Sequence, residues 1–222
     1  MTQNFRASVT RPAPVVLGLV GLCALLEIAF TLAEMPFLQF DSLRRVAIVH
    51  GAFWPGLLAG WEPVFPGQRV TMFLSYAFLH GGFLHMAFNM LLLLHLGRQS
   101  VARLGQGGFL LAFALCAIGG AAGYWLLNGS EQPMLGASGA VFGFFGMTIF
   151  WDIQVRRKIG LSIDQPIRLM IGLAVMNVLL WFLVSGMLAW EAHLGGFLTG
   201  ALLARIVTPT PGHRARPDLR DR

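Results

Sequence analysis

Residues 136–143 read Gly-Ala-Ser-Gly-Ala-Val-Phe-Gly and begin an apolar run that continues to about residue 151. Within this run Gly139, Gly143 and Gly146 recur at four- and three-residue spacing, so on a helix they lie on one face. Small residues at such spacing let two membrane helices approach backbone to backbone. The stretch therefore predicts a closely packed membrane helix that carries Ser138 in its first turn.

The composition of the whole chain agrees with a membrane environment. Of the 222 residues, 56% are hydrophobic and only 12% are charged, about half the charged share of a typical soluble domain. The mean hydropathy is +0.68, and ten acidic residues with a single lysine are too few to cover the surface of a soluble globule of this size. These values argue against a water-soluble fold.

Six apolar runs are long enough to cross about 30 Å of hydrocarbon. They lie at residues 15–33, 83–97, 108–127, 135–151, 167–185 and 190–207. The stretch 46–60 is also apolar, but it is short and contains Pro55 and Gly56, which interrupt a helix. We therefore interpret residues 34–79 as a loop that lies in the membrane interface, where its many aromatic side chains contact both water and lipid.

The distribution of positive charge orients the six spans. With the N-terminus inside, all but three of the 16 Lys and Arg residues fall on the inner side, where positive residues are retained. Both termini are thus predicted to be cytoplasmic, and the long first loop is predicted to be external. The chain divides into a short cytoplasmic segment (1–14), a six-span membrane domain (15–207) and a disordered cytoplasmic tail (208–222).

Several classes of function are disfavoured by the same distribution. The arginines form short clusters between apolar runs and no stripe interleaved with aromatic residues, so nucleic acid is not an expected partner. Cys23 and Cys116 lie inside apolar runs and are expected to be buried hydrophobic side chains without disulfide or metal-ligand spacing. We predict neither a metal nor a cofactor.

Polar residues are costly inside a membrane span, and three of the predicted spans carry them at their outer ends. Ser138 of span four and His193 of span six form a possible nucleophile and base. His193, Gly196 and Gly200 lie at positions i, i+3 and i+7, so the histidine shares a face with glycines that permit close packing. This face is predicted to contact span four.

The polar residues of span two suggest an oxyanion site. His85 and Asn89 lie at i and i+4 on one helical face, where their N–H groups, with the backbone N–H of Ser138, could stabilise a tetrahedral oxyanion. The alternative is that His85 and Asn89 hold span two against a neighbouring helix, since amide and imidazole groups are common hydrogen-bonding partners between membrane helices.

Three motifs together resemble those of the rhomboid intramembrane serine proteases, in order and orientation. The motifs are His85-x-x-x-Asn89, Gly136-x-Ser138-Gly139-x-x-x-Gly143 and Ala192-His193-x-x-Gly196-x-x-x-Gly200. The resemblance covers roughly residues 35–207. It implies an all-α membrane protein, a six-transmembrane-helix bundle of rhomboid type with an interfacial first outer loop.

The resemblance also implies a role for each site residue. Ser138 is the implied nucleophile and His193 the general base and then acid, while the oxyanion hole is formed by His85, Asn89 and the amide of Ser138. The residues expected to support this site are Gly136, Gly139, Phe142, Gly196 and Gly200. Phe142 is expected to stack on His193, and a dyad is expected because Glu191 lies on a different helical face from His193.

The implied substrates are transmembrane segments of single-span or multi-span membrane proteins, cleaved near their outer ends through an acyl-enzyme. The protein is expected to be a multi-pass protein of the lipid bilayer, in a bacterial plasma membrane, and the sequence leaves its oligomeric state open. A rhomboid-like protein that binds transmembrane helices without cleaving them is the alternative. A proton-relaying channel or transporter is disfavoured because the polar residues cluster near one face.

Other polar residues are expected to have structural roles. Glu27 in span one has no cationic partner visible at matching depth, so we interpret it as a hydrogen-bonded structural carboxylate. His80 is predicted to tie the first loop to span two, and Asn177 is predicted to be satisfied within its own helix. Trp181 and Phe182 either line the side through which a substrate helix approaches, as the resemblance implies, or face lipid.

Overall fold

A computed structural model describes residues 12–36 and 42–207, and their regular structure is helical apart from one isolated β-bridge between Phe53 and Met134. The elements are α1 (Pro14–Ala33), α2 (Ser42–Gly51), α3 (Pro55–Leu58), α4 (Gln68–Ser75), a 3-10 turn (Tyr76–Phe78), α5 (Phe83–Leu127), α6 (Ser138–Lys158), α7 (Asp164–Leu183) and α8 (Trp190–Ile206). The predicted tail 208–222 and nearly all of segment 1–14 lie outside the described residues.

Four helices in the described part of the chain are long and apolar enough to cross a membrane: α1, α5, α6 and α7. Helix α5 has 45 residues and is interrupted at Gly105, whose φ of 70° and ψ of 173° are not helical and favour glycine. The break falls between the predicted spans at 83–97 and 108–127. Helix α8, with 17 residues, begins where the sixth span is predicted. An all-helical integral membrane protein is thus supported, while the count of six spans stays a prediction.

The segment between α1 and α5 is more regular than a loop. From residue 42 onward it contains α2, α3, α4 and the 3-10 turn. Gly60 and Gly67, with φ of 110° and 92°, separate α3 from α4 in a conformation that other residues rarely adopt. Because α2 has only ten residues, it is too short to cross the hydrocarbon layer; the interfacial loop without an additional span stays a prediction.

The centre of the molecule is formed by α5, α6 and α8, whose backbones touch through glycine. A Cβ atom on Gly196 would overlap the carbonyl oxygen of Gly139, and one on Gly200 would overlap the carbonyl oxygen of Gly143. Because each pair advances by four residues, α6 and α8 run parallel in a fixed register. The predicted glycine faces of spans four and six therefore meet.

Sequence reasoning missed the third helix of this centre. Gly123 of α5 lies so close to α8 that an added Cβ would approach the Cα of Gly195 to 2.8 Å and the carbonyl oxygen of Glu191 to 2.6 Å. Gly120 similarly faces the Cα of Gly139 on α6. The spacing of Gly119, Gly120 and Gly123 carried the same signal of close packing as the glycines of α6 and α8.

Helix α7 lies at the edge of this arrangement and is the least buried of the long helices. Only Pro166 and Leu173 are buried along its 20 residues. By contrast, α6 buries ten of its 21 residues. In a bilayer the exposed apolar side chains of α7 contact lipid without penalty, so the helix requires little protein packing.

Candidate active site

Two hydrogen bonds fix the backbone immediately before Ser138. Gly136 has a φ of 123°, and an added Cβ would lie 2.8 Å from the Nε2 atom of His85, so both its conformation and its surroundings require glycine. The N–H of Gly136 donates to the carbonyl oxygen of Tyr76 at 3.0 Å, and the N–H of Ala137 lies 3.5 Å from Nε2 of His80. Helix α6 begins immediately afterwards, at the half-buried Ser138.

His193 lies in the first turn of α8 and is 5% exposed. Phe142, one turn into α6, stacks on it with ring centroids 4.1 Å apart and an interplanar angle of 3°, the arrangement that the resemblance implies. The contact between Gly139 and Gly196 brings Ser138 and His193 to the same end of the parallel helix pair. Within the described residues the Ser138 hydroxyl makes no hydrogen bond; catalytic hydrogen bonds are often long before substrate binds.

The Nδ1 atom of His193 has a hydrogen-bonding partner on α7. Its Nδ1 lies 2.6 Å from Oδ1 of Asn177, and the Nδ2 of Asn177 donates to the carbonyl oxygen of Leu173 at 3.3 Å. The prediction that Asn177 is satisfied within its own helix is therefore wrong for its oxygen and correct for its nitrogen. Sequence spacing could not show this contact because it joins two helices whose relative rotation is unknown from the sequence.

Glu191 makes no contact of this kind. It is 7% exposed, and its Oε2 atom has no hydrogen-bond partner among the described residues. The side chain that contacts Nδ1 of His193 is therefore the amide of Asn177 and not the carboxylate of Glu191.

His85 and Asn89 lie on the first turns of α5, beside the start of α6. Asn89 is buried and donates one N–H to the carbonyl oxygen of His85 at 2.9 Å, which leaves its second N–H unused. The Nδ1 of His85 accepts from the N–H of Gly81 at 3.4 Å. A neutral imidazole that accepts at Nδ1 carries its hydrogen at Nε2, the atom that faces Gly136.

His80 connects helix α2 to the start of α6. Its side chain is 2% exposed and accepts the N–H of Ala137, while its carbonyl oxygen accepts from Arg44 of α2 at 3.0 Å. The structure thus gives His80 a structural role. Its ring accepts a hydrogen bond from the segment before α6 and not from span two as predicted, although it contacts the His85 ring of α5 edge to face with centroids 5.2 Å apart.

Glu27 of α1 has a cationic partner, contrary to the prediction. Its side chain is 1% exposed and accepts two hydrogen bonds at 3.0 Å from Arg44, which also donates to Glu34 and His80. These contacts occupy all five N–H donors of the guanidinium. The hydrogen bond from Arg44 lowers the pKa of Glu34, and its bonds to Glu34 and Glu27 raise the pKa of Arg44.

A cavity of about 700 Å³ adjoins His193 between α6, α7 and α8. Its lining is almost wholly apolar and includes Phe142, Trp181 and Phe182, with Asn177 and His193 as the polar exceptions. Trp181 and Phe182 both line this cavity and are both also exposed, so the two predicted roles stay predictions.

A family model described as the rhomboid domain matches residues 67–210, about two thirds of the chain. The chain belongs to the rhomboid family. The matched region contains all three rhomboid motifs, from His85 on α5 through Ser138 on α6 to His193 on α8.

Curated relatives carry related names. YdcA of Bacillus subtilis (strain 168), a candidate rhomboid protease, is 29% identical over 206 residues, which cover 91% of this chain and 92% of YdcA. Rhomboid-like protease 3 of Toxoplasma gondii is 30% identical over 155 residues, 65% of this chain and 54% of that protein. Rhomboid protease GluP of B. subtilis is 32% identical over 126 residues, 57% of this chain. The chain thus spans about half of the Toxoplasma protein and 24% of GluP.

Proposed function

We propose that this rhomboid-family protein is an intramembrane serine endopeptidase that cleaves transmembrane segments near their outer ends. The observation that carries the proposal is the parallel, glycine-mediated contact of α6 and α8, which brings Ser138 and His193 to one end of the helix pair. The named rhomboid proteases among its relatives support the same class of reaction.

In the proposed reaction, Oγ of Ser138 attacks the scissile carbonyl carbon while His193 accepts the hydroxyl proton. The peptide C–N bond then breaks, and the imidazolium gives this proton to the leaving amine. A water molecule hydrolyses the acyl-enzyme in the same way, with His193 again serving as base and then acid, and Ser138 recovers its hydrogen. The apolar surroundings and low exposure of His193 keep its ring ordered during both steps.

We assign the stabilisation of the oxyanion to three N–H donors. These are Nε2 of His85, the second N–H of Asn89 and the backbone N–H of Ser138, which is the first residue of α6 and has no partner within the helix. A helix N-terminus also favours negative charge. Loss of one such donor typically lowers the rate about 10²- to 10³-fold.

The apolar cavity beside His193 supports a hydrophobic substrate, because it offers no polar groups beyond Asn177 and His193 to a bound segment. We propose that single-span or multi-span membrane proteins are the substrates and that the protein crosses a bacterial plasma membrane six times with both termini in the cytoplasm. The break of α5 at Gly105 supports counting that helix as two spans.

The proposal is tested by a cleavage assay of purified, detergent-solubilised protein on a model transmembrane substrate, together with labelling by a serine-reactive fluorophosphonate. We expect Ser138→Ala and His193→Ala to abolish both cleavage and labelling while the thermal unfolding midpoint stays near that of the wild type, because the loss lies in the transition state. Ser130→Ala and His95→Ala, at exposed positions outside the motifs, serve as matched controls and should remain active.

A well-folded wild-type protein that neither cleaves nor labels would contradict the proposal. It would favour the alternative of a rhomboid-like protein that binds transmembrane helices without cleaving them. Retention of cleavage in Ser138→Ala would equally exclude the proposed nucleophile.

A further inference from the structure

We propose that Asn177 of α7 is a positioning residue for His193, which it holds in the tautomer that carries the hydrogen on Nδ1. The proposal rests on the proposed function, because it assigns Asn177 a role toward the general base of that reaction. It adds a third residue to the expected serine–histidine dyad.

The orientation of the Asn177 amide determines which atom faces the histidine. Its Nδ2 donates to the carbonyl oxygen of Leu173, four residues earlier on the same helix. The remaining atom, Oδ1, lies 2.6 Å from Nδ1 of His193. An amide oxygen can only accept a hydrogen bond, so Nδ1 of His193 must be the donor. The lone pair of the neutral ring is then on Nε2, as a base with a free nitrogen requires.

Phe142 and Asn177 restrict the ring in different ways. The stacking of Phe142 fixes the plane of the imidazole but still allows the ring to flip over about its Cβ–Cγ bond, which would put Cδ2 in the place of Nδ1 and Cε1 in the place of Nε2. The hydrogen bond to Asn177 removes this freedom because it engages one nitrogen only. The two contacts come from α6 and α7, so His193 of α8 is oriented by both neighbouring helices.

No other described side chain can take over this role. Asn177 is the only described side chain that hydrogen-bonds the His193 ring, and the buried Glu191 makes no side-chain hydrogen bond to it. Asn177 also lines the cavity next to His193, an apolar setting where a polar side chain without a partner is costly. The geometry therefore favours a positioning role over simple exposure to lipid.

The first test compares the kinetics of three variants on the model transmembrane substrate. Asn177→Leu removes the acceptor at nearly constant size, Asn177→Asp keeps an acceptor in the same place, and Leu179→Ala alters an exposed position of α7 that does not line the cavity. We expect Asn177→Leu to lower kcat about 10- to 100-fold with KM nearly unchanged. Asn177→Asp should recover most of kcat, and Leu179→Ala should match the wild type.

The second test observes the tautomer directly, by NMR of protein with ¹⁵N-labelled histidine in detergent micelles. The His193 signals are assigned from their loss in His193→Ala. We expect the hydrogen on Nδ1 in the wild type and a redistribution toward Nε2 in Asn177→Leu. This measurement requires no catalytic activity, so it separates a failure of the Asn177 proposal from a failure of the proposed function.

Three results would overturn the proposal. One is a wild-type His193 with its hydrogen on Nε2, a result that does not depend on Asn177→Leu and therefore holds even if that variant does not fold. The second is an Asn177→Leu variant that keeps kcat within about twofold of the wild type, or loses activity through KM alone. The third is an unchanged His193 tautomer in folded Asn177→Leu.

Discussion

The α2–α4 segment, called the outer segment after its predicted external position, and the helix α7 both lie beside the α5–α6–α8 core but are attached to the rest of the molecule very differently. The outer segment is short and irregular, yet Arg44 alone makes five hydrogen bonds from it to Glu27, Glu34 and His80. Helix α7 is regular over 20 residues but buries only two of them. Regular secondary structure and firm attachment are therefore separate properties in this molecule.

The physical reason lies in which groups each element offers. A guanidinium that contacts a carboxylate of 1% exposure forms charge-assisted hydrogen bonds in a medium of low dielectric, where they are strong. The apolar side chains of α7 gain little from leaving lipid for protein, because lipid tails are equally apolar. Described side-chain hydrogen bonds connect α7 to other helices at two places, from Arg156 to Gln165 and from His193 to Asn177.

The largest effect is expected where the outer segment is attached. Arg44→Met should lower the free energy of unfolding by about 3–5 kcal/mol, because it leaves the buried carboxylate of Glu27 without its cation. The matched control Arg45→Met alters the exposed neighbouring residue and should change stability by less than about 0.5 kcal/mol. Denaturant unfolding in detergent measures both. Equal losses in the two variants would show that Arg44 does not attach the segment as described.

A smaller effect on stability is expected when the same substitution, glycine to alanine, is made in the core and on α7. Gly200→Ala places a methyl group against the carbonyl of Gly143, and the backbone there has no room to move, so we expect a loss of about 1–3 kcal/mol. Gly172→Ala on α7 meets nothing within 4 Å and should instead stabilise the helix by about 0.5–1 kcal/mol. Thermal unfolding of the two variants beside the wild type provides the measurement. Similar losses at both positions would mean that α7 is packed as tightly as the core.

The parts of this fold that could be predicted from the sequence are those determined by local patterns. Apolar runs marked the long helices, and glycine spacing predicted the contact between α6 and α8 because a helical face is defined by spacing alone. The same rule applied to Gly119, Gly120 and Gly123 would have predicted the contribution of α5. The short helices of the outer segment were missed because their apolar pattern is interrupted by turns at Gly60 and Gly67.

The candidate site was predictable where its residues belong to motifs and unpredictable where they meet across the fold. Ser138, His193, His85 and Asn89 could be named from spacing and resemblance, and their catalytic roles stay a prediction. Asn177 and Arg44 could not be assigned partners, since each contacts residues at least 10 positions away on other elements. The depth of Glu27 relative to Arg44 depends on how the outer segment folds back, which no local pattern specifies.

The smallest effect concerns the second carboxylate bound by Arg44. Glu34 is 40% exposed, so Glu34→Gln should cost less than about 1 kcal/mol at neutral pH, in contrast to the loss expected from Arg44→Met. Because Arg44 lowers the pKa of Glu34 in the folded protein, this stabilisation is complete above the ordinary glutamate pKa of about 4.3 and disappears as the pH falls through the lower folded value. Unfolding midpoints of Glu34→Gln and the wild type should therefore differ slightly at pH 7 and converge once the pH falls below the folded pKa of Glu34. A difference that grows on acidification would show that Glu34 is stabilised in its protonated form, and the bonds from Arg44 to Glu34 would then not contribute to the attachment of the outer segment.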